Sequence, residues 1–116
     1  MPFIMSKVSV PVDAAQEVQL KSRLGKAMEL LPGLSEKYLL AGFESNCRFW
    51  LRGNSEPVAY IEAGVFGNEQ HIGYENFSAA VTKIFVDVLN IQPQNVYIKF
   101  SDIAAWSVGG MYFDRS

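Results

Sequence analysis

Residues 58–66 read Val58-Ala59-Tyr60-Ile61-Glu62-Ala63-Gly64-Val65-Phe66. Apart from Glu62 the run is apolar at both odd and even positions, the pattern of a strand buried on two faces. Pro57 leads into it, and Gly67, Asn68 and Gly73 follow, so turn-forming residues bound it on both sides. Alternation along the strand turns Glu62 outward, away from the helices. Beyond the loop, Phe77, Val81, Ile84, Phe85 and Val88 recur at helical spacing. Asn90 closes that helix, Pro93 prevents its return, and Val96-Tyr97-Ile98-Lys99-Phe100 reads as the last long strand.

The same order precedes residue 58. Phe3 to Val10 is rich in β-branched and aromatic residues and stops at Pro11, which predicts a first strand. Asp13, with Gln16 three residues on, resembles a capping box, and Leu20, Leu24, Ala27, Met28 and Leu31 predict a helix over 14–31. Pro32-Gly33 ends it, and Tyr38 to Phe43 follows as an almost wholly apolar strand. Cys47, Phe49 and Leu51 alternate with Arg48 and Trp50, which predicts a short edge strand with its charge outward.

Strand, helix, strand therefore occurs twice. This predicts an α+β fold of two β-α-β units forming a four-stranded mixed sheet, with both helices on one face. Two helices leave the other face bare, yet 38–43 and 58–66 are apolar at both parities. The second face is expected to be buried against copies of the chain, as a homo-oligomer.

The chain has 116 residues, 49% hydrophobic and 19% charged, which fits one domain spanning 1–116. Ten Lys and Arg against twelve Asp and Glu leave no basic footprint, so nucleic acid is not expected as a partner. Cys47 stands alone, which excludes an intrachain disulfide and a cysteine-rich zinc site, and a lone His71 assembles no metal site. Gly64-Val65-Phe66-Gly67 lacks the spacing of a phosphate-binding loop. With no membrane-spanning run and no signal-peptide pattern, a cytoplasmic location is expected.

Pro2 is different in kind. Removal of Met1 would leave a free secondary amine directly before a strand. Held at the edge of the core, that amine is desolvated, which disfavours its ammonium form and lowers its pKa below the ~7.7–8.0 of an ordinary α-amino group. A base poised nearer neutrality suits proton abstraction beside a carbonyl.

Met1-Pro2-Phe3-Ile4, Val10-Pro11, Gly53-Asn54-Ser55-Glu56-Pro57, Val96-Tyr97-Ile98 and Val108-Gly109 together resemble macrophage migration inhibitory factor and its bacterial relatives in the tautomerase superfamily. The resemblance runs over essentially the whole chain. It implies a homotrimer of β-α-β-β-α-β subunits whose sheets wrap a central barrel, with active sites between neighbours and neither metal nor organic cofactor. It also implies keto-enol tautomerisation of aromatic 2-oxo acids such as phenylpyruvate, with Pro2 as general base. Tyr97 stands where the family has a pocket tyrosine supplied by the adjacent subunit, and Val108 belongs to the matching Val-Gly. Lys99 replaces the family's usual Asn, Phe66 replaces an aliphatic residue, and the tryptophan expected after Val108-Gly109 is missing. Leu34 replaces a lysine that helps hold the substrate carboxylate.

Tyr97 and Lys99 project to the same side of their strand, so Lys99 either supplies the cation that Leu34 lacks or is simply a solvated strand lysine. Trp106 is either a substitute aromatic wall or a packing residue. The resemblance leaves two alternatives to phenylpyruvate. One is a non-catalytic, cytokine-like binding protein with a possible receptor. The other is a Pro2 enzyme acting on unsaturated diacids or halogenated acrylates, with Arg48 and Arg52 as extra cations.

Overall fold

The computed structural model describes residues 2–115. β1 (Pro2–Val8) leads to α1 (Ala14–Ala27) and β2 (Leu40–Glu44). β3 (Ala59–Phe66), α2 (Tyr74–Leu89) and β4 (Val96–Ile103) repeat that order, and a hairpin of β5 (Ala105–Val108) and β6 (Met111–Asp114) ends the chain. The sheet runs β2-β1-β3-β4, with β1–β2 and β3–β4 parallel and the central β1–β3 pair antiparallel. This is the expected α+β architecture, a mixed sheet assembled from two β-α-β units.

Alternation assigns the two faces. Pro2, Ile4, Ser6 and Val8 on β1, and Ala59, Ile61, Ala63 and Val65 on β3, are buried under the helices. Leu20, Leu24, Phe77, Val81 and Phe85 pack onto them, so both helices cover the same face. Phe77 and Phe85 are fully buried, and each such side chain contributes about 2–3 kcal/mol of transfer free energy. The reverse face carries Phe3, Met5 and Lys7 beside Leu40 and Gly42, then Tyr60, Glu62, Gly64 and Phe66. Leu40 is 60% exposed there, and Tyr97 on β4 is 47% exposed. Glu62 does turn outward, to an ion pair with Lys7 at 3.8 Å.

The local signals explain the helix ends. Asp13 accepts from the Gln16 backbone N–H at 2.7 Å, and the Gln16 side chain accepts from the Asp13 N–H at 3.0 Å, which closes the capping box. α1 stops at Ala27 rather than 31, because a single 3₁₀ turn (Met28–Leu30) tightens the chain before Pro32. Asn90 ends α2 in the left-handed conformation, with φ 57°. Gly73 begins α2 at φ 85°, where a Cβ would collide with the Leu30 carbonyl oxygen, so only glycine fits.

Three expectations are corrected. Residues 47–51 form no strand: the Cys47 N–H donates to the Val8 carbonyl at the end of β1, and beyond that the segment makes an isolated bridge between Leu51 and Asn54 rather than a ladder. The strand read from Tyr38 begins at Leu40, because Glu36–Tyr38 makes a 3₁₀ turn. The β5–β6 hairpin was unanticipated, and β4 runs on to Ile103.

Candidate active site

Pro2 opens β1, an inner strand with β2 on one side and β3 on the other. Phe3 pairs with Leu40 and Gly64, and Pro2 itself pairs with Val65. Its ring is fully buried and Val65 is 2% exposed, so an amine at this position meets apolar surroundings.

Phe66 follows Val65 directly, on the reverse face, and pairs with Ile103. Its ring lies against Phe113 at a centroid distance of 6.3 Å, and Phe113 stands opposite Trp106 in the hairpin. The Trp106 indole N–H is buried with no hydrogen-bond partner among the described residues. Pro2, Phe66 and this aromatic group therefore gather at one end of the sheet.

The other sequence-predicted residues lie elsewhere in the chain. Tyr97 is level with Tyr60, five residues along β3 from the Val65 that pairs with Pro2, a separation of ~17 Å. Lys99 is level with Glu62, exposed, and in no ion pair among the described residues. Tyr97 and Lys99 do share the reverse face, as their spacing predicts. Leu34, after the left-handed Gly33, is half-buried against the core and offers no cation. Val108 is 49% exposed beside the hairpin turn, opposite Met111. One chain thus holds Pro2 at one end of its sheet and Tyr97 toward the other, so a pocket using both needs a second copy.

A further cluster went unread in the sequence. His71 Nε2 lies 3.1 Å from Asp102 Oδ2, and the imidazole stacks on Tyr74 at 4.8 Å. Asp102 is level with Val65 and hence with Pro2. Burial raises the Tyr74 phenol above its ordinary range, and the Asp102 charge adds to that. No local spacing signals a pair 31 residues apart. Cys47 is half-buried, its thiol raised by burial and then by Glu44. Among the described residues no three His, Cys, Asp or Glu side chains converge on a metal position, and no helix is long and apolar enough to cross a membrane.

A mixed sheet of two β-α-β halves, opened by a proline on an inner strand, defines the class as the tautomerase-superfamily fold. The sequence model for macrophage migration inhibitory factor matches residues 1–112, and the chain belongs to that family. The homologue from Prochlorococcus marinus is similar at 28% identity and TM-score 0.85, with 96% of this chain and 98% of that one covered. MIF2 of Leishmania major superposes at TM-score 0.90 and 18% identity, covering 97% of each chain. A more distant structure, Pt0534 inactivated by 2-oxo-3-pentynoate, superposes at TM-score 0.82 and 14% identity over 93% of each chain. No curated protein matches the chain significantly in sequence.

Proposed function

We propose that the protein is a keto-enol tautomerase of aromatic 2-oxo acids, phenylpyruvate-like in size, working as a homotrimer after Met1 is removed. The observation that carries this reading is the burial of Pro2 at the start of an inner strand, beside an apolar Val65. The freed nitrogen takes a proton from the carbon next to the keto group, the resulting ammonium delivers that proton to the carbonyl oxygen to give the enol, and the same two transfers run backwards from enol to ketone. Phe66 and the neighbouring Phe113 offer an apolar wall to an aryl group. A neighbouring subunit supplies Tyr97 and Lys99, and Lys99 meets the substrate carboxylate that Leu34 cannot bind. Val108 borders the same pocket across the subunit boundary. The inactivation of Pt0534 by a compound named as a 2-oxo acid supports the substrate class.

An intact-mass measurement tests the first step, since a retained Met1 leaves an amide nitrogen that accepts no proton. Ultraviolet monitoring of phenylpyruvate then tests the chemistry. Pro2→Gly is expected to lower kcat/KM by 10²-fold or more, the range of a lost general base. Lys99→Met is expected to raise KM about tenfold, equivalent to ~1.4 kcal/mol of charge-assisted contact, with kcat little changed. An unchanged KM removes Lys99 from the site. The half-buried, uncharged Leu34 favours a second reading, a binding or cytokine-like protein on this fold. Wild type with a free Pro2 and no turnover would decide for it.

A further inference from the structure

We propose that Asp102 and His71 are positioning residues that set the protonation midpoint of the Pro2 amine. The inference rests on the reading of Pro2 as a free N-terminal base. Pro2, Val65 and Asp102 stand level on β1, β3 and β4, with their side chains on the same face of the sheet. Neighbouring strands are about 4.8 Å apart, which places Asp102 two strands and ~10 Å from Pro2. Between the partly solvent-exposed carboxylate and the amine lies Val65, 2% exposed, so the direct path from one to the other runs over apolar side chains.

His71 holds the other side of Asp102, with Nε2 3.1 Å from Oδ2. Its place is fixed by several contacts. Its backbone is left-handed at φ 59°, and its N–H donates to the Asn68 carbonyl at 3.1 Å. The Asn68 side chain brackets Ile72, accepting from its N–H at 3.0 Å and donating to its carbonyl at 2.9 Å. The imidazole stacks on Tyr74, which stacks on Phe100 at 4.4 Å. The buried Tyr74 hydroxyl has no hydrogen-bond partner among the described residues.

An ionised Asp102 favours the ammonium form of Pro2 and so opposes the desolvation that frees the base. The hydrogen bond between His71 and Asp102 draws part of that charge away from Pro2 and so moderates the pull of the carboxylate on the amine. Tyr74 is the ionisable group that α2 adds to the cluster, and Glu69 and Arg115 pair beside the loop at 3.9 Å. On the reverse face Glu62 is paired with Lys7 and flanked by Lys99, while Glu44 ends β2 away from Pro2. Before β2, Glu36 pairs with Lys21 of α1 at 3.6 Å, and Lys37 lies over the Tyr38 ring. Asp102 is the carboxylate level with Pro2 on its own face.

The test titrates the amine directly, without relying on turnover. In the full chain lacking Met1, 3-bromopyruvate is attacked by the free nitrogen, which displaces bromide and releases a proton to solvent. Intact mass follows the labelling rate against pH. Asp102→Asn is expected to lower the midpoint by about half a pH unit, and His71→Gln to raise it by a similar amount. Asp102→Glu, which keeps the charge, is expected to restore the wild-type midpoint, and it serves as the test should the Asn variant fold poorly. Coincident midpoints, or shifts of both neutral variants in one direction, overturn the inference. A Pro2 that never reacts in wild type overturns both this inference and the base reading. A reactive Pro2 with an unmoved midpoint overturns this inference alone.

Discussion

Asn95 shows how much one side chain can hold in this fold. It is 1% exposed, accepts from Arg52 Nη2 at 2.7 Å, and donates to Glu56 Oε1 at 2.7 Å and the Pro57 carbonyl at 3.0 Å. Those bonds tie the turn at 51–54 and the entry to β3 to the start of β4. Asn95→Ala leaves the Pro57 carbonyl without that donor and removes the anchor for Arg52 and Glu56. The expected cost is about 2 kcal/mol, read from the urea midpoint at unchanged slope. The sequence offers no sign of this role, because the partners are 38 to 43 residues away and an Asn before a strand reads as a turn residue. Pro2 is the opposite case. The chemistry proposed for it is read from its place in the chain, and the structure adds which residues surround it.

Elements were legible where their signals are local. The Asp13–Gln16 capping box and the left-handed Asn90 lie within one helical turn of the ends they define. Strands are pairwise, and their errors follow from that. Alternation at 47–51 predicts a strand, but contact with β1 stops at the Cys47 N–H on the Val8 carbonyl, one bond short of a ladder. The hairpin has a local signal of its own: Gly109 and Gly110 both take positive φ, 59° and 85°, between alternating residues, as a two-residue turn requires. α1 and α2 are also joined by charge. Asp87 accepts from Arg23 Nη2 at 2.9 Å and lies 3.2 Å from Lys83, and the Arg23 hydrogen bond above all holds its carboxyl below the usual range. A carboxyl lowered on folding adds stability above its unfolded pKa of ~3.9, and that contribution is lost as pH falls through the folded value. Asp87→Asn is therefore expected to lower the melting temperature by roughly one to three degrees near neutrality, with the gap to wild type closing at strongly acidic pH. A gap independent of pH would assign the effect to packing between the helices.

At the scale of the molecule, the unfinished features of the chain share one explanation. The reverse face of the sheet leaves Leu40 and Tyr97 open to water, and Met111 and Tyr112 are each 66% exposed on the hairpin. Tyr97 lies too far from Pro2 to share a site with it, and the alternating segment 47–51 has no ladder. A second copy that docks along this face answers all of these at once. It covers the apolar side chains, brings its Tyr97 toward Pro2, and gives 47–51 the partner that its sequence is patterned for. In the proposed trimer the backbone N–H groups of Arg48 to Leu51 become hydrogen-bonded between chains, whereas in a single chain the Leu51 N–H bonds only to Asn54. Light scattering is expected to give three times the mass of one chain. Amide exchange at 48–51 is expected to be slowed well beyond that of an open loop, and to speed up on dilution as the mass falls. Slow exchange in a particle of one-chain mass would place the missing partner within the chain, and fast exchange in an intact trimer would leave 47–51 outside the interface.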